Sequence, residues 1–472
     1  MAHDVTSQNM ASDFAAEFAA FSSSLTIQAV PVHVLEVAKA DLLDTLGCAV
    51  AGFTAPGVPG LLALVQGWAG AREAGIWGTD VMVPAHNAAL INGMMAHARD
   101  YDDTHDAAVL HAGVSVVPAA LAAAEISHDA TGADLLAGIV AGLELICRLG
   151  TATQIGIIES GFMYTSLFGH FAATAAAARV LGLDAEATAN ALGIVYSQAA
   201  GTHQVTRDAA LTKRMQPGFA AQAGVLAVSL TRAGLTGTRH TFEGVDGLFH
   251  SYLRGRFDPV VLREGLGTRF EMENLSFKPF PCCRFNHSAI EAALEIRDAL
   301  GGDTEDILAI RCGVNAQAHA AVCEPVGMRK APETVVQAQF ALPYCVATAL
   351  ERGDVGMLDF TPERLSDPTI LGLSSLVETY VDLEIEREWS RNVSPAKLEV
   401  VTGRGLFCAR IDLPRGHPNR PMDQAGVQAK LADCFVIGKP EWERQRMVRL
   451  FEGVMAIEAY EHAWDIAALM AQ

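Results

Sequence analysis

Through most of the first 235 positions apolar residues recur at three- and four-residue spacing, the period of a helix with one buried face. VLEVAKADLLDTLGCAVAG keeps this spacing and ends on glycine; ADLLAGIVAGLELICRLG opens after Gly132 and closes at Gly150. FAATAAAARVLGL stops at Gly182, and Asp184 is placed to cap the helix expected over AEATANALGIVYSQAAG. Alanine and glycine crowd these stretches, so the helices can approach closely and bury one another. The pattern predicts a densely packed helical bundle.

From about residue 304 the period changes. DILAIRCGVN predicts a short strand, and LVETYVDLEIERE and KLEVVTGRGLFCARIDLP alternate with period two, the latter folding back at Gly403-Arg404-Gly405. Helical pattern intervenes at TVVQAQFALPYCVATALERG. PRGHPNRPMD has no periodicity and reads as a linker, after which helical pattern returns to the end of the chain. The expected fold is mainly α with an α+β part. An all-helical domain formed by residues 1–272 and 415–472 surrounds an inserted, smaller α/β domain at 273–414.

At 472 residues, two domains are the natural expectation. A formal charge of −20 argues against nucleic acid or an anionic membrane as partner, and makes local groups of lysine and arginine informative. The N-terminus carries no cationic segment followed by an apolar core, and nine cysteines without a CxxC pair fit reduced thiols. A cytoplasmic protein is expected.

Three segments carry candidate chemistry. DYDDTHDAAVLH brings Asp100, Thr104 and His111 together; on a helix they fall within about 40° of one face, and at a helix end with a turn they can also converge. The stretch reads as an acid/base site, a divalent-metal site or a solvated, capped turn. No HExxH or EF-hand spacing supports the metal. In TKRMQPGFAAQAGVLA, Lys213 and Arg214 sit at the mouth of a helix, misplaced against its dipole unless an anion lies there too. In SFKPFPCCRFNHSAIEAAL, Lys278, Arg284 and His287 surround two prolines that stiffen the loop, a basic grip for a carboxylate. His86, His97, His170 and His203 lie in apolar helical contexts and read as core histidines, and Tyr344 in ALPYCVATAL follows a helical core stripe. No phosphate loop, dinucleotide fingerprint or GxSxG elbow occurs.

In order along the chain, LLDTLGCAVAG, AHARDYDDTHDAAVLHAGVSVVPAALAAAE, GFMYTSLFGHFAATAAAARVLGL, SQAAG, TKRMQPGFAAQAGVLA, SFKPFPCCRFNHSAIEAAL and QAQFALPYCVATAL resemble the MmgE/PrpD family over roughly residues 15 to 465. The resemblance implies a helical domain from both ends of the chain, an inserted α/β lid, and a site in the cleft between them. It implies a homodimer, no cofactor and no obligatory metal. The family's activities are 2-methylcitrate dehydration, cis-aconitate decarboxylation and iminodisuccinate epimerisation. Carried over by motif, the implied site residues are Asp100, Thr104, His111, Lys213, Lys278 and Tyr344. Met163 stands where the family usually has a histidine.

The family substrates imply a small anionic polycarboxylate and removal of a proton next to a carboxylate. His111 is then the expected base or acid, its ordinary pKa lying near working pH. Asp100 orients that imidazole or takes the proton itself. Lys213 and Lys278 clamp carboxylates, with Arg284 as a further candidate, while Thr104 donates a hydrogen bond and Tyr344 closes the site. Dehydration of a 2-hydroxy polycarboxylate leads, followed by epimerisation of a dicarboxylic acid and decarboxylation. The last is demoted by Met163, and a non-catalytic anion-binding protein is the different-class alternative.

Overall fold

In the computed structural model the described residues are 13–471 apart from 209, 389–394 and 443. The helical part is built from α1 (Phe14–Ser24), α2 (Val32–Gly52), α3 (Val58–Gly67), α4 (Ala85–His97), α5 (Gly113–Glu125), α6 (Gly132–Ala152), α7 (Tyr164–Val180), α8 (Ala185–Tyr196) and α9 (Thr212–Arg232). At its centre lies α5, in which every residue from Gly113 to Ala124 is buried. Its small side chains allow α4, α6, α7 and α9 to surround it.

Helices α4 and α9 cross closely. A Cβ on Gly218 would collide with the Leu90 carbonyl oxygen, and one on Gly93 would stand 2.8 Å from the Gly218 Cα. Only glycine at both positions permits this approach, which brings the start of α9 against the end of α4. The Asp184 side chain accepts from the Ala187 N–H, the expected cap of α8. By length and composition α6 could cross a bilayer, but 94% of its apolar window is buried inside the protein.

A second core, separate from the first, gathers apolar residues between Phe280 and Ile411. There α10 (His287–Leu300) and α11 (Leu342–Arg352) cover one face of a four-stranded sheet of β1 (Ile307–Val314), β2 (Val377–Val381), β3 (Ala396–Thr402) and β4 (Gly405–Ile411). The strand order is β2-β1-β3-β4, with β1 parallel to β2 and the other neighbours antiparallel. The β3–β4 hairpin turns at Gly403-Arg404, as the glycines predict. LVETYVDLEIERE was expected to alternate throughout; only its first part is strand, and Leu383–Glu388 is a helical turn. Asp382 starts that turn by accepting from the N–H groups of Glu384 and Ile385, a local cap that outweighs the alternation.

The chain then returns. Leu431 and Phe435 of α12 (Gln424–Gly438), and Leu450 and Val454 of α13 (Arg444–Met455), belong to the first core. Backbone bonds from Gly132 N to Tyr460 O at 2.9 Å and from Ala463 N to Ala130 O at 2.8 Å fasten the last segment to the bundle. Mainly helical architecture with one small mixed α/β body is what the two hydrophobic periods foretold.

Candidate active site

The stretch after α4 forms the junction between the two bodies. Helix α4 ends at His97, and Asp100 adopts a left-handed backbone with φ 55°, a conformation that aspartate tolerates better than most residues. Thr104 and His105 then form a two-residue strand paired antiparallel with Leu275–Ser276, in the register Thr104↔Ser276. That pairing carries Lys278 alongside Asp100. The carboxylate of Asp103 accepts from Ala112 N at 2.8 Å and Gly113 N at 3.1 Å, capping α5 just after His111. The polar run is therefore a helix end, a turn and a helix start.

Two ammonium groups meet at Asp100. Lys213 Nζ donates to Asp100 Oδ1 at 3.1 Å, and Lys278 Nζ donates to the Asp100 carbonyl oxygen at 2.9 Å and lies 3.5 Å from Oδ2. The left-handed turn presents carbonyl and carboxylate to the two lysines together. Lys213 is the second residue of α9, so Asp100 supplies the anion that a lysine at a helix N-terminus calls for. Burial opposes the Asp100 charge, but Lys213 and Lys278 hold its carboxyl well below the usual range. Burial likewise works against the Lys278 ammonium, yet Asp100 and Asp102 raise its pKa.

Asp102 bridges two imidazoles. Its Oδ2 stands 2.8 Å from His97 Nδ1 and 3.2 Å from His111 Nδ1, and the two rings lie 4.9 Å apart. The His111 Nδ1–H also points at the Asp103 carbonyl at 2.6 Å, and the His111 backbone N–H donates to Thr165 Oγ1 at 3.0 Å. A carboxylate and a carbonyl only accept, so Nδ1 of His111 carries the hydrogen and Nε2 is left with its lone pair. Burial pushes the His111 pKa down to about 3, with Lys278 and His97 adding to the effect and Asp102 opposing it. The expectation of an ordinary histidine pKa is thus corrected: at neutral pH this imidazole is uncharged, with its Nε2 lone pair open. Asp102 is held below the usual carboxylate range by His97 and His111 despite burial.

The expected residues divide. Asp100, His111, Lys213 and Lys278 form one cluster, with Thr104 buried on the adjoining strand. Within it Lys213 and His111 reach solvent, with side chains 11% and 16% exposed. Arg284 lies apart from the lysines: its Nε pairs with Asp106 at 3.3 Å and its Nη1 donates to the Arg415 carbonyl at 3.0 Å, so it ties the turn to the linker. Met163 caps α7 without a polar side-chain bond to the cluster; its sulfur is 3.8 Å from Thr206 Oγ1, two residues from the Thr165 that meets His111.

Tyr344 does not close the site. It is fully buried in the second core, and its hydroxyl donates to the Asp359 carbonyl at 2.9 Å. Because α11 begins only at Leu342, the preceding Phe340 instead reaches across, its ring centroid 5.2 Å from Lys213 Nζ. The helical stripe had marked Tyr344 as core, and that reading of its packing is the one that holds.

His97 and Asp102 were missed as members of the cluster. His97 looked like a core histidine, and Asp102 was not singled out within the polar run. Their signal is the HARDYD spacing, which lets a carboxylate beyond the helix end fold back onto the last imidazole. His97 Nδ1, Asp102 Oδ2 and His111 Nδ1 all lie within 4.8 Å of one another, the donor set of a candidate metal site. A divalent cation there would have to displace the Nδ1 hydrogens that His97 gives to Asp102 and His111 to the Asp103 carbonyl. The donor set fits a hydrogen-bonded carboxylate better than a cation.

A helical bundle closed by the chain's own tail, an α/β body and a basic–acidic cluster at their junction define a two-domain protein with a polar site at the seam. Residues 16–259 match the MmgE/PrpD N-terminal domain and residues 280–452 the MmgE/PrpD C-terminal domain. The chain belongs to the MmgE/PrpD family. It is similar to a cis-aconitate decarboxylase-like protein of Aspergillus oryzae, with 27% identity over 78% of this chain and 80% of the relative. The human cis-aconitate decarboxylase is 26% identical over 88% of this chain and 86% of its own. The mitochondrial 2-methylcitrate dehydratase of Yarrowia lipolytica is 24% identical over 82% and 77%. These relatives are named for enzymes that cleave or dehydrate organic acids.

Proposed function

We propose that the protein is a lyase acting on a small di- or tricarboxylic acid, and that it begins by removing a proton next to a carboxylate. The observation that carries this reading is the placement of His111. Its Nδ1–H is fixed by the Asp103 carbonyl beside Asp102, and its Nε2 is left free in a solvent-reaching ring next to two ammonium groups. A neutral imidazole takes a proton, and charge then develops on the adjacent carboxylate as an enediolate. Lys213 and Lys278 stabilise that charge more than the ground state, which is the difference that accelerates reaction.

Loss of a hydroxyl on the next carbon completes a dehydration. The C–H proton goes to His111 Nε2, the electron pair forms the alkene, and the departing hydroxide leaves as water with a proton from Lys213. His111 afterwards returns its proton to the lysine through solvent. Incoming carboxylates favour the imidazolium that forms, since they add negative charge beside it.

The second reading is decarboxylation of an unsaturated tricarboxylic acid, which the names of the Aspergillus and human relatives favour. It needs an acid to deliver a proton to carbon, a task for which an uncharged His111 is less suited. Met163, in place of a further imidazole, points the same way. The test is proton NMR in deuterated water on a panel including 2-methylcitrate, cis-aconitate and substituted succinates. An alkene from the hydroxy acid supports dehydration, and carbon dioxide with a deuterated five-carbon acid supports decarboxylation. Deuterium exchange at a stereocentre alone supports epimerisation. Silence across the panel refutes the enzyme reading in favour of anion binding.

A further inference from the structure

Lys213 has two hydrogen-bond partners, and one of them is not a charge. Its Nζ lies 3.1 Å from Asp100 Oδ1 and 3.3 Å from Nε2 of His97. An ammonium can only donate, so His97 presents a lone pair at Nε2 and its hydrogen at Nδ1, where Asp102 Oδ2 accepts it at 2.8 Å. Both contacts demand the same tautomer. The ring is 2% exposed at the last residue of α4, behind Lys213 and out of reach of a substrate. The Asp102 oxygen that fixes His97 is also the one near His111 Nδ1. Lys213, His97 and Asp102 thus form a hydrogen-bonded row that ends in contact with His111, with the two solvent-reaching groups at its ends.

We propose that His97 is a positioning residue: with Asp102 it holds the Lys213 ammonium at a fixed place relative to His111, so that carboxylate clamp and base engage one substrate together. A lysine has four rotatable bonds, and Asp100 alone holds its ammonium at a single contact; the imidazole supplies the second. The row does not pass a proton from end to end, because the His97 hydrogen is held by Asp102 and the His111 hydrogen by the Asp103 carbonyl. It acts as a ruler between two groups. This inference rests on the lyase reading for its catalytic meaning, but the placement of Lys213 can be measured without any substrate.

The test uses the full chain with His97→Phe, Lys213→Met and the double variant. The readouts are calorimetric binding of tricarballylate, a tricarboxylate with no hydroxyl to lose, and kcat and KM on whichever acid the protein turns over. His97→Phe is expected to weaken tricarballylate and lower kcat/KM about tenfold or more, the scale of one lost hydrogen bond to a charged group. That penalty should vanish once Lys213 is Met. Asparagine places an amide nitrogen where Nδ1 stood, whereas glutamine can place an acceptor oxygen near Nε2. His97→Gln should therefore recover more of the loss than His97→Asn. An equal penalty in both lysine backgrounds would mark His97 as merely structural and overturn the proposal.

A crystal structure of the His97→Phe variant separates this outcome from failure of the lyase reading. Displacement of Lys213 Nζ from Asp100 supports the positioning role even if no polycarboxylate binds or turns over. A lysine unmoved in that variant refutes it even if the wild type proves a fast lyase.

Discussion

Asp102 joins groups that each looked ordinary alone. One buried carboxylate oxygen meets two imidazoles on their Nδ1 side and leaves His111 Nε2 free, while burial keeps both rings uncharged against its pull. His111→Asn and Lys213→Met should each lower turnover at least about a hundredfold, the usual worth of a positioned base or a charge-stabilising donor. Near-wild-type rates in either variant would contradict the assignment. The pH profile follows from the direction of the His111 shift. A base is lost on protonation, and burial has moved that event down to about 3, below the ordinary histidine value. With substrate ionisation corrected for, kcat/KM should hold down to about pH 5. An acid limb near 6.5 would instead indicate an exposed, unperturbed imidazole.

Residue types announced much of this cluster, but not its wiring. Asp100, His111, Lys213 and Lys278 stood out because charged groups interrupt apolar helices, and the structure brings all four together. His97 could not be told from a packed histidine, since its partner lies beyond the helix end and only the turn at Asp100 brings Asp102 back. Tyr344 and Phe340 share a helical spacing, yet the helix starts between them, and that start is set by Pro343 and the extended Ala341 rather than by apolar period.

At the scale of elements, the site depends on how closely α4 and α9 cross. His97 ends one helix and Lys213 begins the other, and Gly93 and Gly218 let their backbones touch. Gly218→Ala forces a methyl against the Leu90 carbonyl, so α9 must shift. That change should cost stability by about 1–3 kcal/mol, the range for an overpacked core, and should lower kcat/KM more than it raises urea sensitivity. Urea titration beside steady-state kinetics checks it; an unaltered rate would mean that the crossing does not set the lysine. The helices themselves were legible from period and caps. Their crossing was not, because small residues announce only that close approach is allowed, not which partner takes it.

Across the whole molecule, the second body reaches the cluster through residues 339 and 340. Gln339 Nε2 donates to the Arg99 carbonyl at 2.6 Å and to the Pro281 carbonyl at 3.0 Å, clasping the turn before Asp100, while Phe340 lies over Lys213. Tyr101 adds a seam contact by donating to the Pro279 carbonyl at 3.2 Å. Gln339→Ala should speed hydrogen exchange around residues 335–341 and raise KM several-fold, at about the worth of one or two lost hydrogen bonds. Exchange and KM unchanged from wild type would show that this clasp does not shape the site. The change of hydrophobic period near residue 304 foretold two bodies. Which side chains meet between them depends on the Thr104–Ser276 pairing, a contact between segments some 170 residues apart that no local pattern encodes.

The role proposed for His111 is to remove a substrate proton beside a carboxylate. Its most direct test is deuterium wash-in from solvent, followed by proton NMR on the acid that the wild type turns over, with wild type and His111→Asn at equal concentration. Deuterium is expected in substrate or product with the wild type, and at least a hundredfold slower incorporation in the variant, whose tricarboxylate binding persists because both lysines remain. Incorporation by His111→Asn at the wild-type rate would contradict it.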